Sequence, residues 1–176
     1  MKKPFFLVIF LTILMVLGSQ LRWSFGPVPI VLTTIPLYYS ILILPYYFSG
    51  IVPLLFLTLG AIGLPVFSKG GGLLETLSGP TGGYLVGFVL VGWLAPLSRL
   101  LPKQTRSICP PLWLAFLILH PSGLIWMYIA HNDVWFSLFP NYIWLLLADL
   151  IKITMVWFFY KYVNAPNQKL PVSSKP

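Results

Sequence analysis

Apolar residues come in long unbroken runs along this chain rather than alternating with polar ones. An α-helix needs about 17 to 25 apolar residues to cross a hydrocarbon core about 30 Å thick at ~1.5 Å per residue. Six segments meet that description: Phe5 to Leu21, Val31 to Phe48, Ile51 to Val66, Gly82 to Leu97, Leu112 to Ala130 and Tyr142 to Tyr162. Their continuity predicts helices, because barrel strands would alternate lipid-facing and lumen-facing positions. The third is short and carries glycine, which predicts a broken or tilted span. The first follows Lys2 and Lys3 like a secretory leader, yet Leu17 stands where a cleavage site wants a small residue, so a retained helix is expected. No internal repeat marks two transporter halves. Residues 1–163 are expected to form one transmembrane domain, and the polar, Pro-containing residues 164–176 a disordered cytoplasmic tail.

Composition supports lipid as the solvent. Of 176 residues, 58% are hydrophobic and 16% aromatic, while only 8% are charged, about a third of the share in soluble domains. Disorder and ordinary solubility are both excluded by that balance. A net charge of +8 would suggest nucleic acid in a soluble chain. Here the basic residues punctuate the apolar runs, which reads as membrane orientation with no nucleic acid partner. Lys2, Lys3, Arg99, Lys103, Arg106, Lys161, Lys169 and Lys175 fall on one side of a six-span chain, and Arg22 and Lys69 on the other. The positive-inside rule then predicts an all-α, six-helix bundle in the plasma membrane with both termini cytoplasmic. The loops at 22–30, 67–81 and 131–141 would face outward.

Several chemistries have no sequence support. No G-x-x-x-x-G-K-S/T loop is present, so any ATP that powers the protein must be bound elsewhere. His120 and His131 are eleven residues apart rather than an i, i+4 metal pair, and Cys109 is the single cysteine, so neither a metal nor a resident cofactor is expected. Glu75 and Asp133 have no nucleophile and base beside them, and the chain is expected not to be an enzyme.

Two features remain as candidate chemistry. Asp149 and Lys152 lie inside the last apolar run, where each charge costs about 2.5–3.5 kcal/mol on insertion scales. Their i, i+3 spacing puts them on one helical face, with Trp144, Leu145 and Ala148 predicted on the same broad stripe. A carboxylate beside an ammonium can meet a small polar ligand that offers both donors and an acceptor. The competing reading is a structural ion pair that neutralises itself. The second feature is residues 63–88, where Gly70, Gly71 and Gly72 can take positive φ. Gly82 and Gly83 could expose backbone N–H groups at a helix start, or let two helices pack closely. A third segment, Gly26-Pro27-Val28-Pro29-Ile30, reads as a stiff outer turn, either lid or connector.

GPVPI at 26–30, GAIGLPVF at 60–67, GPTGGYLVGF at 79–88 and the Asp-x-x-Lys of Asp149 and Lys152 together resemble BioY, the biotin-specific substrate-capture (S) subunits of energy-coupling-factor (ECF) vitamin transporters. The resemblance spans nearly the whole chain. It implies a six-helix bundle that binds biotin near its outer side, with Asp149 and Lys152 at the ureido head. It places the apolar part of the vitamin on aromatics such as Phe67, Tyr84 or Trp126, and its carboxylate near Thr81, Gly82, Gly83 or Lys69. It also implies partners: a transmembrane coupling subunit and cytoplasmic ATPase subunits. Capture of another small vitamin, or a structural membrane protein without transport, are the alternatives.

Overall fold

The computed structural model describes residues 2–24, 28–68, 70, 72–100, 110–130 and 135–164, with the backbone alone at 2–3, 110 and 135–141. Helix α1 (Lys2–Gln20) is followed by a two-stranded antiparallel ribbon, β1 (Arg22–Trp23) and β2 (Ile30–Val31). Then come α2 (Thr34–Ile43), α3 (Tyr46–Ala61), the short α4 (Leu73–Ser78), α5 (Gly82–Leu94) running into a 3-10 turn (Ala95–Leu100), α6 (Pro110–Ala130) and α7 (Trp135–Asn164). Among the described residues, three stretches are long and apolar enough to cross a membrane: Gly82–Leu100, Pro111–Ala130 and Tyr142–Asn164. Three other apolar helices are shorter, Pro4–Gln20, Thr34–Ile43 and Tyr46–Ala61.

Element boundaries depart from the hydropathy reading in the first half. The run from Val31 to Phe48 is not one helix. Leu44 is extended (φ −88°, ψ 149°) because the ring of Pro45 disfavours the helical region for the residue before it. The chain restarts as α3, which therefore begins five residues earlier than the apolar run at Ile51 suggests. Leucine and proline are both apolar, so hydropathy alone hides the break. The ribbon at Arg22–Trp23 and Ile30–Val31 is also a departure from an all-helical chain.

The described helices pack by polar ties and close backbone approach, as expected where lipid tails compete with side chains for apolar contact. Thr12 donates back to Val8 O at 2.9 Å and reaches Val52 O of α3 at 3.3 Å. Ser49 of α3 reaches Gly92 O of α5 at 2.7 Å. A Cβ at Gly92 would sit 2.8 Å from Pro53 Cγ, so α3 and α5 meet only because that position has no side chain. On α7, Leu145, Asp149, Lys152, Ile153 and Val156 are buried, one stripe at helical spacing. Ile143, Trp144, Leu147, Ile151, Met155 and Phe158 are exposed, a surface suited to lipid.

Candidate functional site

α7 can carry two charges because the two pair with each other and neighbouring elements supply the remaining partners. Asp149 is 2% exposed and Lys152 5%. Lys152 Nζ donates to Asp149 Oδ1 at 2.8 Å, to the backbone oxygen of Val31 in β2 at 2.8 Å and to Thr34 Oγ1 at 3.2 Å. The Thr34 hydroxyl passes its own hydrogen to Asp149 Oδ1 at 3.1 Å. Tyr38, one turn further along α2, donates to the other oxygen, Oδ2, at 2.6 Å. His120 of α6 brings Nε2 to 3.2 Å from the same Oδ2, in ion-pair range but outside hydrogen-bond alignment. Hydroxyl and ammonium donors on an ionised carboxylate are the strong kind, shorter and about twice as strong as neutral pairs.

The pair sits on the wall of a cavity with about 610 Å³ of empty volume, its open mouth included. Ser19 of α1, Val28 and Pro29 beside β2, and Thr33 and Thr34 at the start of α2 line one part. Phe56 of α3, Phe67 and Ser68 after it, Thr76 of α4 and Thr81 form another, and Tyr84, Leu85 and Phe88 of α5 a third. Leu119 and His120 of α6 and Leu145 of α7 complete it. Phe56 is the centre of an aromatic patch, edge-on to Phe67 at 5.5 Å between centroids and 6.5 Å from Phe88. The Phe67 ring lies where a Cβ on Gly60 would be, 2.2 Å away, so the glycine of GAIGLPVF is what admits the ring against α3. After α3 the chain turns through Gly63 at φ +91°, a backbone conformation open to glycine and strained for other residues.

The residues singled out from the sequence separate into groups. Asp149, Lys152, Phe67, Thr81 and Tyr84 line the one cavity. Gly82, Gly83 and Trp126 are not part of that lining. Gly82 and Gly83 are buried against α6, where a Cβ on Gly83 would lie 2.3 Å from Trp126 Cβ and 2.4 Å from Ser122 O. Close helix packing therefore describes these glycines, and the Gly82 amide already donates to Gly79 O at 3.1 Å. Trp126 Nε1 donates to the same carbonyl at 3.1 Å, tying α6 to the end of α4. Lys69 lies outside the described residues, as do Gly71, Gly26, Pro27 and the tail from 165; Gly70 has φ +69°, while Gly72 is at −71°. Trp144 is 61% exposed, off the cavity stripe, because five residues along a helix turn roughly 140° from Asp149.

Two polar residues around the carboxylate, Thr34 and Tyr38, went unnoticed in the sequence, and a third, His120, was considered there only as a metal ligand. Thr34 and Tyr38 sit i, i+4 on α2, and the period is visible in sequence, but nothing in it says which helix they face. His120 had a usable signal, an ionisable residue inside an apolar span.

The chemistry of such a cavity suits a small ligand with a polar head of several hydrogen-bonding groups and an apolar body. Comparison with known proteins gives consistent results. Residues 2–169 match the model of the BioY family. The "Biotin transporter BioY" of Thermotoga maritima is 39% identical over 79 residues, 45% of this chain and 47% of that protein. The "Probable biotin transporter BioY" of Pyrococcus horikoshii is 30% identical over 110 residues, 62% of this chain and 65% of that one. The chain thus spans about half to two thirds of the length of these curated relatives. A crystal structure of the S-component for biotin from an ECF-type ABC transporter superposes with a TM-score of 0.73 at 24% identity, covering 91% of this chain and 92% of that one, which shows a shared fold.

Proposed function

Because this chain belongs to the BioY family, we propose that it is a membrane-embedded biotin-capture subunit, which binds the vitamin in the cavity at Asp149 and Lys152 and mediates its uptake. The observation that carries the reading is the buried pair itself, set on a cavity whose other lining residues combine aromatic and aliphatic side chains with hydroxyls and His120. Asp149 accepts a ureido N–H. Lys152, whose three hydrogens are all engaged, donates to the ureido oxygen by giving up its longest bond, the 3.2 Å one to Thr34. The apolar bicycle packs on Phe67 and its neighbours, and the carboxylate chain leads toward Thr81, with Lys69 the basic residue that the family resemblance assigns to it. A purely structural ion pair is the second reading, favoured by the same saturation of Lys152.

The protein performs no covalent chemistry in this proposal. A transmembrane coupling subunit and cytoplasmic ATPases supply the energy, a reading supported by the structural relative's place in an ECF-type ABC transporter. The chain crosses the plasma membrane six times with both termini cytoplasmic, a reading supported by its basic residues. Calorimetry on detergent-purified protein with biotin, desthiobiotin, thiamine and riboflavin tests the ligand. Tight biotin binding lost in Asp149→Asn and Lys152→Ala with folding retained is expected. Intact biotin binding in both variants would sink the site assignment, and tight binding of thiamine or riboflavin instead would replace the ligand.

A further inference from the structure

Three buried polar atoms on residues of the cavity wall have no hydrogen-bond partner among the described residues: the Tyr84 hydroxyl and both ring nitrogens of His120. Tyr84 is 7% exposed and His120 3%. The two residues come from α5 and α6, and their rings meet edge to face at 6.3 Å between centroids and 83°. Unpartnered buried groups are rare in folded proteins, because each gives up its bonds to water and gains nothing in return. Asp149 and Lys152 already have partners in Thr34, Tyr38, Val31 and each other, with one acceptor site left on Asp149 Oδ2. Tyr84 and His120 are therefore the cavity-wall residues whose buried polar atoms have no hydrogen bond at all among the described residues.

The two residues differ in what they present. His120 Nε2 is 3.2 Å from Asp149 Oδ2, and even off the hydrogen-bond line the negative charge of the carboxylate favours a ring N–H over a lone pair at that nitrogen. The ring hydrogen accordingly belongs on Nε2, which leaves Nδ1 as an acceptor. Asp149 and Lys152 already balance in charge, and a singly protonated ring keeps that balance. Tyr84 presents an O–H. A hydroxyl donor on one ring and a nitrogen acceptor on the ring that meets it edge to face are together the complement of a C=O and an N–H, the polar groups of a cyclic urea.

We propose that Tyr84 and His120 form a second polar contact with the ligand, in which the Tyr84 hydroxyl donates to the ureido oxygen and His120 Nδ1 accepts one ureido N–H. The inference rests on the biotin reading and completes it. A cyclic urea has two N–H groups and one oxygen with two lone pairs. Asp149 takes one N–H and Lys152 one lone pair, so the Tyr84–His120 edge meets the remaining two.

Isothermal titration of the full chain in detergent tests this with biotin and the two biotin isomers N-methylated on one or the other ureido nitrogen. Tyr84→Phe and His120→Phe each weaken biotin binding by about tenfold or more, the loss expected for one buried hydrogen bond. His120→Gln, which restores an acceptor, recovers most of the affinity. Both methylated isomers bind the unmodified chain at least about tenfold more weakly than biotin. In His120→Phe, methylation of one nitrogen costs nothing further while methylation of the other keeps its full cost. Unchanged biotin affinity in Tyr84→Phe and His120→Phe overturns the proposal, as does a methylated isomer that binds the unmodified chain as tightly as biotin. Thermal unfolding reports on folding, and if His120→Phe fails to fold, His120→Gln and the isomers on the unmodified chain decide. Biotin binding lost in Asp149→Asn but untouched at His120 and Tyr84 overturns this contact alone. No biotin binding by the unmodified chain overturns this contact and the biotin reading together.

Discussion

The Asp149–Lys152 pair can be removed in two ways that separate a binding role from a structural one. Lys152→Met alone leaves a carboxylate buried with the Tyr38 and Thr34 hydroxyls but no cation. Asp149→Asn alone leaves an ammonium held by the Val31 carbonyl and the Thr34 hydroxyl. Breaking a buried pair from one side costs about 3–5 kcal/mol, because the surviving charge is desolvated without its partner. On the scale of soluble domains of this size, at about 2–4 °C per kcal/mol, each single variant loses about 6–20 °C in Tm. The double variant, Asp149→Asn with Lys152→Met, behaves differently. The carbonyl oxygen of the new amide can still accept from Tyr38, its nitrogen can donate to Thr34 Oγ1, and no charge remains to be desolvated. Removing a whole buried pair is commonly neutral or stabilising by about 1–4 kcal/mol. The double variant is thus expected to melt at or above the unmodified protein while binding no biotin.

Thermal unfolding followed by size-exclusion chromatography, with biotin titration on the same samples, measures both quantities. A double variant less stable than either single one would show that the pair is held for packing. One that still binds biotin would refute the role given to the two charges.

Other substitutions probe the surrounding frame. Tyr38→Phe removes a 2.6 Å bond to a charged acceptor and is expected to destabilise the protein by about 1.5–3 kcal/mol, read as a lower Tm, with weaker biotin binding in calorimetry. Gly83→Val places a branched side chain where even a Cβ meets Trp126 and Ser122 O at under 2.5 Å, so α5 and α6 must separate. A loss of about 1–3 kcal/mol is expected, and an unchanged Tm would count against that packing. Trp126→Phe deletes the hydrogen bond to Gly79 O that ties α6 to the end of α4, and biotin dissociation followed by stopped flow should accelerate by up to about tenfold.

Hydropathy located the three long spans and their type because a helix in lipid must be apolar on every side, and that leaves an unbroken run. It failed at Leu44–Pro45 because the break is a backbone effect written in an equally apolar residue. The Asp149–Lys152 pair was legible for the reverse reason, two charges where charge is costly. Thr34 and Tyr38 were not legible, since hydroxyl residues are inexpensive in a span and occur there for many reasons. Gly82 and Gly83 were visible as glycines but ambiguous between exposed amides and close packing. Only the position of Trp126 and Ser122 across the helix interface resolves them.

The partners of Lys152 link the site to the ribbon above it. One of its three bonds ends on Val31 O, the last residue of β2, and another on Thr34 at the start of α2. Val28 and Pro29, just before β2, line the same cavity. A ligand oxygen that takes a hydrogen from Lys152 must take it from one of these bonds or from Asp149. Loss of the Asp149 bond would separate two buried charges, which is the most expensive choice in a low-dielectric site. Loss of the Val31 bond would orphan a backbone carbonyl. Thr34 is the least costly to release, because its hydroxyl keeps its own bond to Asp149 Oδ1 at 3.1 Å. Binding in this frame leaves β2 tethered to α7 while the ligand enters, and Thr34→Val, which removes the competitor for Lys152, should raise biotin affinity unless Thr34 itself touches the vitamin. An equal affinity in Thr34→Val, with the Tm retained, would place the exchange at Val31 or Asp149 instead, and a lower one would show that Thr34 itself touches the vitamin.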